Sequence, residues 1–212
     1  MNYKTIDINN WARREHYQLF RQMQCSFSIT VDINISNIIQ VLVSKDYKLY
    51  PTLIYLITKA INQTPAFKLS IKAGELVEWN NVHPSYTIFH KDNQTFSGIW
   101  TEYHSDFNQF MKNYVTDQLE YKDNLSFLSK PDKPENTFDI SCLPWVSFTG
   151  FTLSFPEIKD YFKPIITIGK YRHEHDQILL PLAIQIHHAV CDGFHIGVFL
   201  NQLQQLCDEF DK

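Results

Sequence analysis

The chain has 212 residues, 44% of them apolar, with a net charge of −4, which suits one large domain or two small ones around a substantial core. The acidic balance argues against a nucleic-acid or anionic-membrane partner, because both demand a basic surface, and no apolar run approaches the roughly 20 residues of a membrane span. With only 6 glycines, a Gly-rich phosphate cradle is excluded.

The opening "MNYKTIDINNW" lacks the apolar centre of a secretory signal. Cys25, Cys142, Cys191 and Cys207 are scattered with no CxxC spacing, which favours free thiols in a reducing cytoplasm over a disulfide framework. "SFSITVDINI" (26–35) alternates and is rich in β-branched residues, so it reads as a strand. A helix follows in "SNIIQVLVSKDYK", with Ser36 as its candidate N-cap. "PTLIYLITKAINQ" (51–63) places Pro51 at a first helical position and is apolar over much of its surface, which predicts a buried helix.

"FKLSIKAGELVEW" predicts two short strands turning at Ala73-Gly74, and "SYTIFHKDNQTFSGIW" a second pair turning near Asp92-Asn93. Residues 106–121 predict a helix with Phe107, Phe110, Met111, Tyr114 and Leu119 on or near one face. "LSKPDKPENT" (128–137) reads as a surface loop and not a domain boundary. "FDISCLPWVSFTGFTLSF" predicts a strand, a proline interruption and another strand. "PIITIGKY" and "QILLPLAIQIHH" are β-prone and joined by a polar "RHEHD" turn; the chain closes on an amphipathic helix from Ile196 to Phe210. Strands and helices mix without a regular βαβ alternation, so the expectation is a single α+β domain over 1–212, a two-layer sandwich of a mixed β-sheet packed by helices.

The chemistry concentrates in "QIHHAVCDGFH" (185–195), set between two core-like stretches. His187 and His188 are adjacent at a strand end, so their side chains point to opposite faces: one can be a packed core histidine while the other faces a cleft. Asp192 and Gly193 stand where the chain turns into the last helix, where an aspartate also serves as a plain cap. A metal reading would use His187, His188, Asp192 and His195. Histidines facing opposite ways cannot both ligate one ion without distortion, so no metal is expected. "HEHD" (173–176) reads as a solvated hairpin tip. Cys191 beside a histidine raises the contrary possibility of a thiol nucleophile.

"HHAVCDG" resembles the HHxxxDG signature of CoA-dependent acyltransferases, and "QIHHAVCDGFH" resembles the active-site segment of the chloramphenicol acetyltransferase family. "NWARREHY", "YPTLIYLITKAIN", "FSGIW", "DISCLPWVSF" and "YFKPIITIGKY" resemble further segments of that family in its order, so the likeness covers nearly the whole chain. It implies acetyl transfer from acetyl-CoA, as co-substrate and without a metal, to the 3-hydroxyl of chloramphenicol, giving antibiotic resistance. By the resemblance His188 is the general base, Ser141 stabilises the oxyanion, Thr167 holds a bound water beside it, and Asp192 pairs with Arg13 to brace the loop that carries His188. It implies an antibiotic pocket lined by Phe20, Cys25, Phe27, Phe96 and Leu128, with Leu19 adjacent. Phe20 stands where well-known members have tyrosine, and Leu128 where phenylalanine is common. Tyr171 is implied to stack on the adenine of coenzyme A, with Trp145 bordering the cofactor and Lys170 near its phosphates. Family members are homotrimers with active sites at subunit interfaces, and the many aromatics (16 Phe, 11 Tyr, 4 Trp) agree with that. From the residues alone, Arg13, Arg14 and Glu15 could equally be a solvated helix face, and each lining aromatic could be core. Two other readings remain open here: the same chemistry on another alcohol or thiol acceptor, and a non-catalytic ligand-binding homologue.

Overall fold

The computed structural model describes residues 2–154 and 159–211. In chain order it holds β1 (Tyr3–Thr5), α1 (Arg14–Gln22), β2 (Ser26–Asn34), α2 (Ser36–Lys45), α3 (Leu49–Asn62), β3 (Leu69–Lys72), β4 (Glu75–Trp79) and β5 (His83–His90). There follow β6 (Thr95–Trp100), α4 (Phe107–Tyr121), β7 (Thr137–Leu143), β8 (Ile165–Gly169), β9 (Arg172–Glu174), β10 (Gln177–His187) and α5 (Gly193–Asp208).

Two sheets form: a small one in the order β1-β4-β3, and a large one in the order β2-β10-β8-β7-β5-β6, with β9 pairing β10. The large sheet is mixed, because β7 runs parallel to both β5 and β8 while its other pairs are antiparallel. The fold is therefore α+β. Ala73 and Gly74 close the β3–β4 hairpin with φ of 50° and 85°, the left-handed pair whose twist suits a two-residue turn.

Register explains which face each side chain takes, since residues directly opposite share a face. One row across the large sheet reads Val31, Leu182, Ile168 and Cys142. It belongs to the core side, where Leu182 and Ile168 join Ile54, Ile57 and Ile61 of α3 and Phe199 and Leu203 of α5. The neighbouring row reads Thr30, Ala183, Thr167 and Ser141, small and mostly polar, and points to the other face.

Three local expectations are corrected. After Pro144, residues 145–154 form no strand, and Phe155 at the end of the expected second strand lies outside the described residues. Strand β10 is already paired along both edges, so the segment crosses the polar row by other bonds: Phe151 N–H donates to Thr30 Oγ1 (3.2 Å), Leu153 N–H to Gln185 Oε1 (3.0 Å), and Ser28 Oγ to the Phe151 carbonyl (3.0 Å). Ser36 is the first helical residue of α2 and not its cap. The Asn34 carboxamide takes the capping bond, accepting from Ser36 N–H at 3.0 Å, while Ser36 Oγ accepts from Ile178 N–H at 2.9 Å. Pro51 sits third in α3, not first, which its missing N–H allows because donors of the first turn have no helical partner.

Candidate active site

Strand β10 ends in His187, whose ring enters the core and is 1% exposed. Its Nδ1 accepts from Ala189 N–H at 3.0 Å, so the proton sits on Nε2, which has no partner among the described residues. Burial, beside the edge-on ring of Phe162, pushes this imidazole down to about 4. An unfolded chain protonates the same histidine near its ordinary value of about 6.5. Its contribution to stability is therefore whole above that pH and falls as pH drops toward 4. His187→Asn, which keeps an acceptor for Ala189 N–H, is expected to flatten the decline of melting temperature between about pH 6.5 and 4; an equally steep decline would exclude His187 as its source.

His188 is the first residue past the strand and is half-buried. Its N–H donates to the Cys25 carbonyl at 2.8 Å, and its Nδ1 lies 2.8 Å from the Cys191 carbonyl. A carbonyl only accepts, so Nδ1 carries the proton and Nε2 presents a lone pair. Among the described residues nothing donates to that lone pair. The ring is fixed on two sides, stacked on Phe20 (centroids 3.9 Å apart, 20° between planes) and edge-on to Phe27 (5.1 Å). An imidazole so held presents one defined basic atom.

The turn after His188 is braced by Asp192, the N-cap of α5. Its carboxylate accepts from Phe194 N–H at 3.1 Å and pairs with the Arg13 guanidinium, which also donates to the His188 carbonyl at 3.3 Å. His195 completes a capping box, its Nδ1 lying 3.2 Å from the Asp192 N–H. Burial works to raise the Asp192 carboxyl, but the hydrogen bond from Arg13 outweighs it and holds the group at about 2. Arg13 is thus no part of a solvated helix face; it joins the N-terminal segment to the histidine turn. Cys191 is fully buried, and burial followed by the charge of Asp192 pushes its thiol up to about 12. Almost no thiolate exists there at neutral pH, so it is a poor nucleophile.

Ser141 and Thr167 face each other across the parallel β7–β8 pair with their hydroxyls 3.0 Å apart. Ser141 opens into a cavity of about 490 Å³ whose walls include Phe96, Phe127, Leu128, Leu153 and Ile165. Its polar end holds Asp139, Lys133 and Tyr161. Sequence reasoning found Ser141, Phe96 and Leu128 but missed Phe127, Leu153, Tyr161 and Asp139. Asp139 was within reach, since it stands two residues before Ser141 in one strand and so shares its face.

The remaining candidate residues lie on the loops that follow β7 and β8. Lys170 N–H donates to the Val146 carbonyl at 2.8 Å, tying the two loops together. Trp145 and Tyr171 both remain exposed there, Trp145 resting edge-on against Phe89 (4.9 Å).

Within one chain these groups do not converge. Arg13, Phe20, Cys25, Phe27 and Asp192 gather around His188 with Leu19 exposed on the adjoining α1, whereas Ser141, Thr167, Phe96 and Leu128 lie elsewhere. Thr167 is opposite Ala183, five residues before His188 along the same strand direction, a separation of about 16 Å at the usual strand rise. Among the described residues no group of three or more His, Cys, Asp or Glu side chains is placed to hold a metal ion.

The sequence matches the family model described as "Chloramphenicol acetyltransferase" over residues 1–204. A chloramphenicol acetyltransferase of Proteus mirabilis is 46% identical over 205 residues, covering 96% of this chain and 94% of its own. Chloramphenicol acetyltransferase 3 of Escherichia coli is 46% identical over 209 residues, covering 98% of each. Among solved structures, one titled chloramphenicol acetyltransferase superposes with a TM-score of 0.86 over 97% of this chain and 99% of its own, at 24% identity. The dihydrolipoamide acetyltransferase of Azotobacter vinelandii superposes with a TM-score of 0.70 over 92% and 86%, at 15% identity. At such identities these two likenesses speak for the fold alone.

Proposed function

The chain belongs to the chloramphenicol acetyltransferase family, and on that premise we propose how its residues carry acetyl from acetyl-CoA to the antibiotic. It is an acetyl-CoA-dependent acyltransferase acting on chloramphenicol. His188 Nε2 takes the proton of the 3-hydroxyl as that oxygen attacks the thioester carbonyl. The tetrahedral intermediate places its oxyanion at the Ser141 hydroxyl, with Thr167 holding a water beside it. Collapse expels the thiolate of coenzyme A, and the imidazolium returns its proton to sulfur. No acyl-enzyme forms, in keeping with the buried, protonated thiol of Cys191. Asp192 and Arg13 keep the His188 turn in place and transfer no proton.

The observation that carries this reading is the hydrogen bond from His188 Nδ1 to the Cys191 carbonyl, which leaves Nε2 basic. The direct test mixes pure protein, acetyl-CoA and chloramphenicol and follows release of the coenzyme A thiol. Absence of release at saturating substrates would overturn the assignment.

The separation between His188 and the Ser141–Thr167 pair supports a homotrimer in which the base of one subunit faces the cavity of its neighbour. Exposed Leu19, Phe96, Phe127 and Leu128 give that interface apolar surface. Phe20, Cys25 and Phe27 around the base, and Phe96 and Leu128 in the cavity, would then bound one antibiotic from two sides. Coenzyme A enters along the post-strand loops, its adenine on Tyr171, with Trp145 and Lys170 beside it. Tyr171→Ala is expected to raise KM for acetyl-CoA about tenfold, the loss of one aromatic stacking partner, with KM for chloramphenicol unchanged; equal rises in both would remove Tyr171 from the cofactor site. One continuous core cluster supports a single domain over 1–212. Four free cysteines support a cytoplasmic setting, where the reaction confers resistance, and no helix among the described residues is long and apolar enough to cross a membrane.

A further inference from the structure

Leu128 and Phe127 are exposed apolar residues in the connection between α4 and β7, a stretch with no regular structure of its own to hold them in place. Their backbone is instead pinned to β6. Gly98 N–H donates to the Phe127 carbonyl at 2.6 Å, and Ser129 N–H donates back to the Gly98 carbonyl at 3.0 Å. Glycine leaves room for this approach: a Cβ at residue 98 would crowd it, lying 3.3 Å from the Phe127 carbonyl oxygen. Asn124 Nδ2 adds a bond to the Ser129 carbonyl at 2.9 Å.

Just beyond, Lys130 turns inward. Its Nζ donates to Asp117 Oδ1 of α4 at 2.6 Å and sits 3.9 Å over the Trp100 ring centroid. Trp100 Nε1 in turn donates to the Pro131 carbonyl at 3.2 Å. Asp117 is only 8% exposed, and its second oxygen accepts from Thr101 Oγ1 at 2.7 Å. Because that hydroxyl gives its one proton to the carboxylate, Tyr86 must donate in the 2.9 Å contact with Thr101. The network thus runs from Lys130, at the foot of the segment, to Tyr86, whose ring stacks on Tyr114 of α4 on the core side of β5.

We propose that the buried Lys130–Asp117 pair is a positioning device that orders residues 125–129 in advance, so that Phe127 and Leu128 stand as the cavity wall against which the antibiotic's ring is bound. This rests on the reading that the cavity takes chloramphenicol. Neither residue touches the reacting atoms; the pair acts by sparing the substrate the entropy of ordering its own wall.

The test uses the intact enzyme carrying Asp117→Asn with Lys130→Met, which buries no lone charge and keeps an acceptor for Thr101. KM for chloramphenicol is expected to rise about tenfold while KM for acetyl-CoA and kcat at saturation stay within about twofold. Lys130→Arg, which retains the ion pair, should restore the parental KM. Unchanged KM for chloramphenicol in the double variant, or an equal rise in KM for acetyl-CoA, would overturn the proposal. If that variant does not fold, Asn124→Ala, which loosens the same segment from outside the core, must raise the same KM, and a parental value there is equally fatal. Leu128→Ala separates the two levels. If it leaves KM for chloramphenicol unchanged, the cavity reading falls; if it raises KM while the pair variants do not, only the positioning role falls.

Discussion

Replacing His188 with alanine is expected to lower kcat by about 10³- to 10⁴-fold, the upper range for loss of a general base. Chloramphenicol's hydroxyl is a poor nucleophile until its proton is being removed, and no other described group near His188 is suited to the task. His187, the adjacent imidazole, is turned into the core with its acceptor nitrogen already occupied by Ala189 N–H. Cys191 has its thiol held near 12. Cys191→Ala should accordingly leave turnover within about twofold, since a buried thiol that never ionises acts as a small apolar filler. Thiol-release assays of the two variants side by side decide the matter. Activity surviving in His188→Ala and lost in Cys191→Ala would replace direct attack with covalent catalysis.

Ser141→Ala is expected to lower kcat by about 10²- to 10³-fold, as loss of one oxyanion donor does elsewhere. The Thr167 hydroxyl 3.0 Å away cannot replace it, because it is itself only 2% exposed. This variant also tests where the active site is assembled. If base and oxyanion donor come from different subunits, trimers co-expressed from His188→Ala and Ser141→Ala chains will contain interfaces in which both groups are intact. In an equal random mixture about one interface in four is of that kind, so roughly a quarter of parental activity should return from two nearly inactive parents. Mixed trimers with no recovered activity would place the whole site within one chain and rule out the shared arrangement.

Much of the candidate site could be read from residue order because its parts are local. The strand leading into 187–188 alternates, so one histidine had to face inward and the other away, and the structure keeps that division. The aspartate that opens α5 likewise behaves as the cap its position predicted, while also bracing the histidine turn. The strand expected after the Pro144 interruption failed for a non-local reason: β10 had no free edge, so side chains took over the backbone bonds of the segment. Neither the Ser36 cap nor the position of Pro51 could be settled by propensity, which does not resolve shifts of one or two residues.

By itself the sequence determined the kind of chemistry and pointed to its candidate agents, because a family resemblance carried by contiguous motifs lies in residue order alone. Tertiary structure alone decided what depends on contacts between distant segments. It brought Arg13 to Asp192, chose the tautomer of His188 through the Cys191 carbonyl, raised Cys191 out of reach of ionisation, and set Lys130 into the pair that anchors the cavity wall. Burial and hydrogen-bond partnership are properties of the packed chain, and no short stretch of residues carries them.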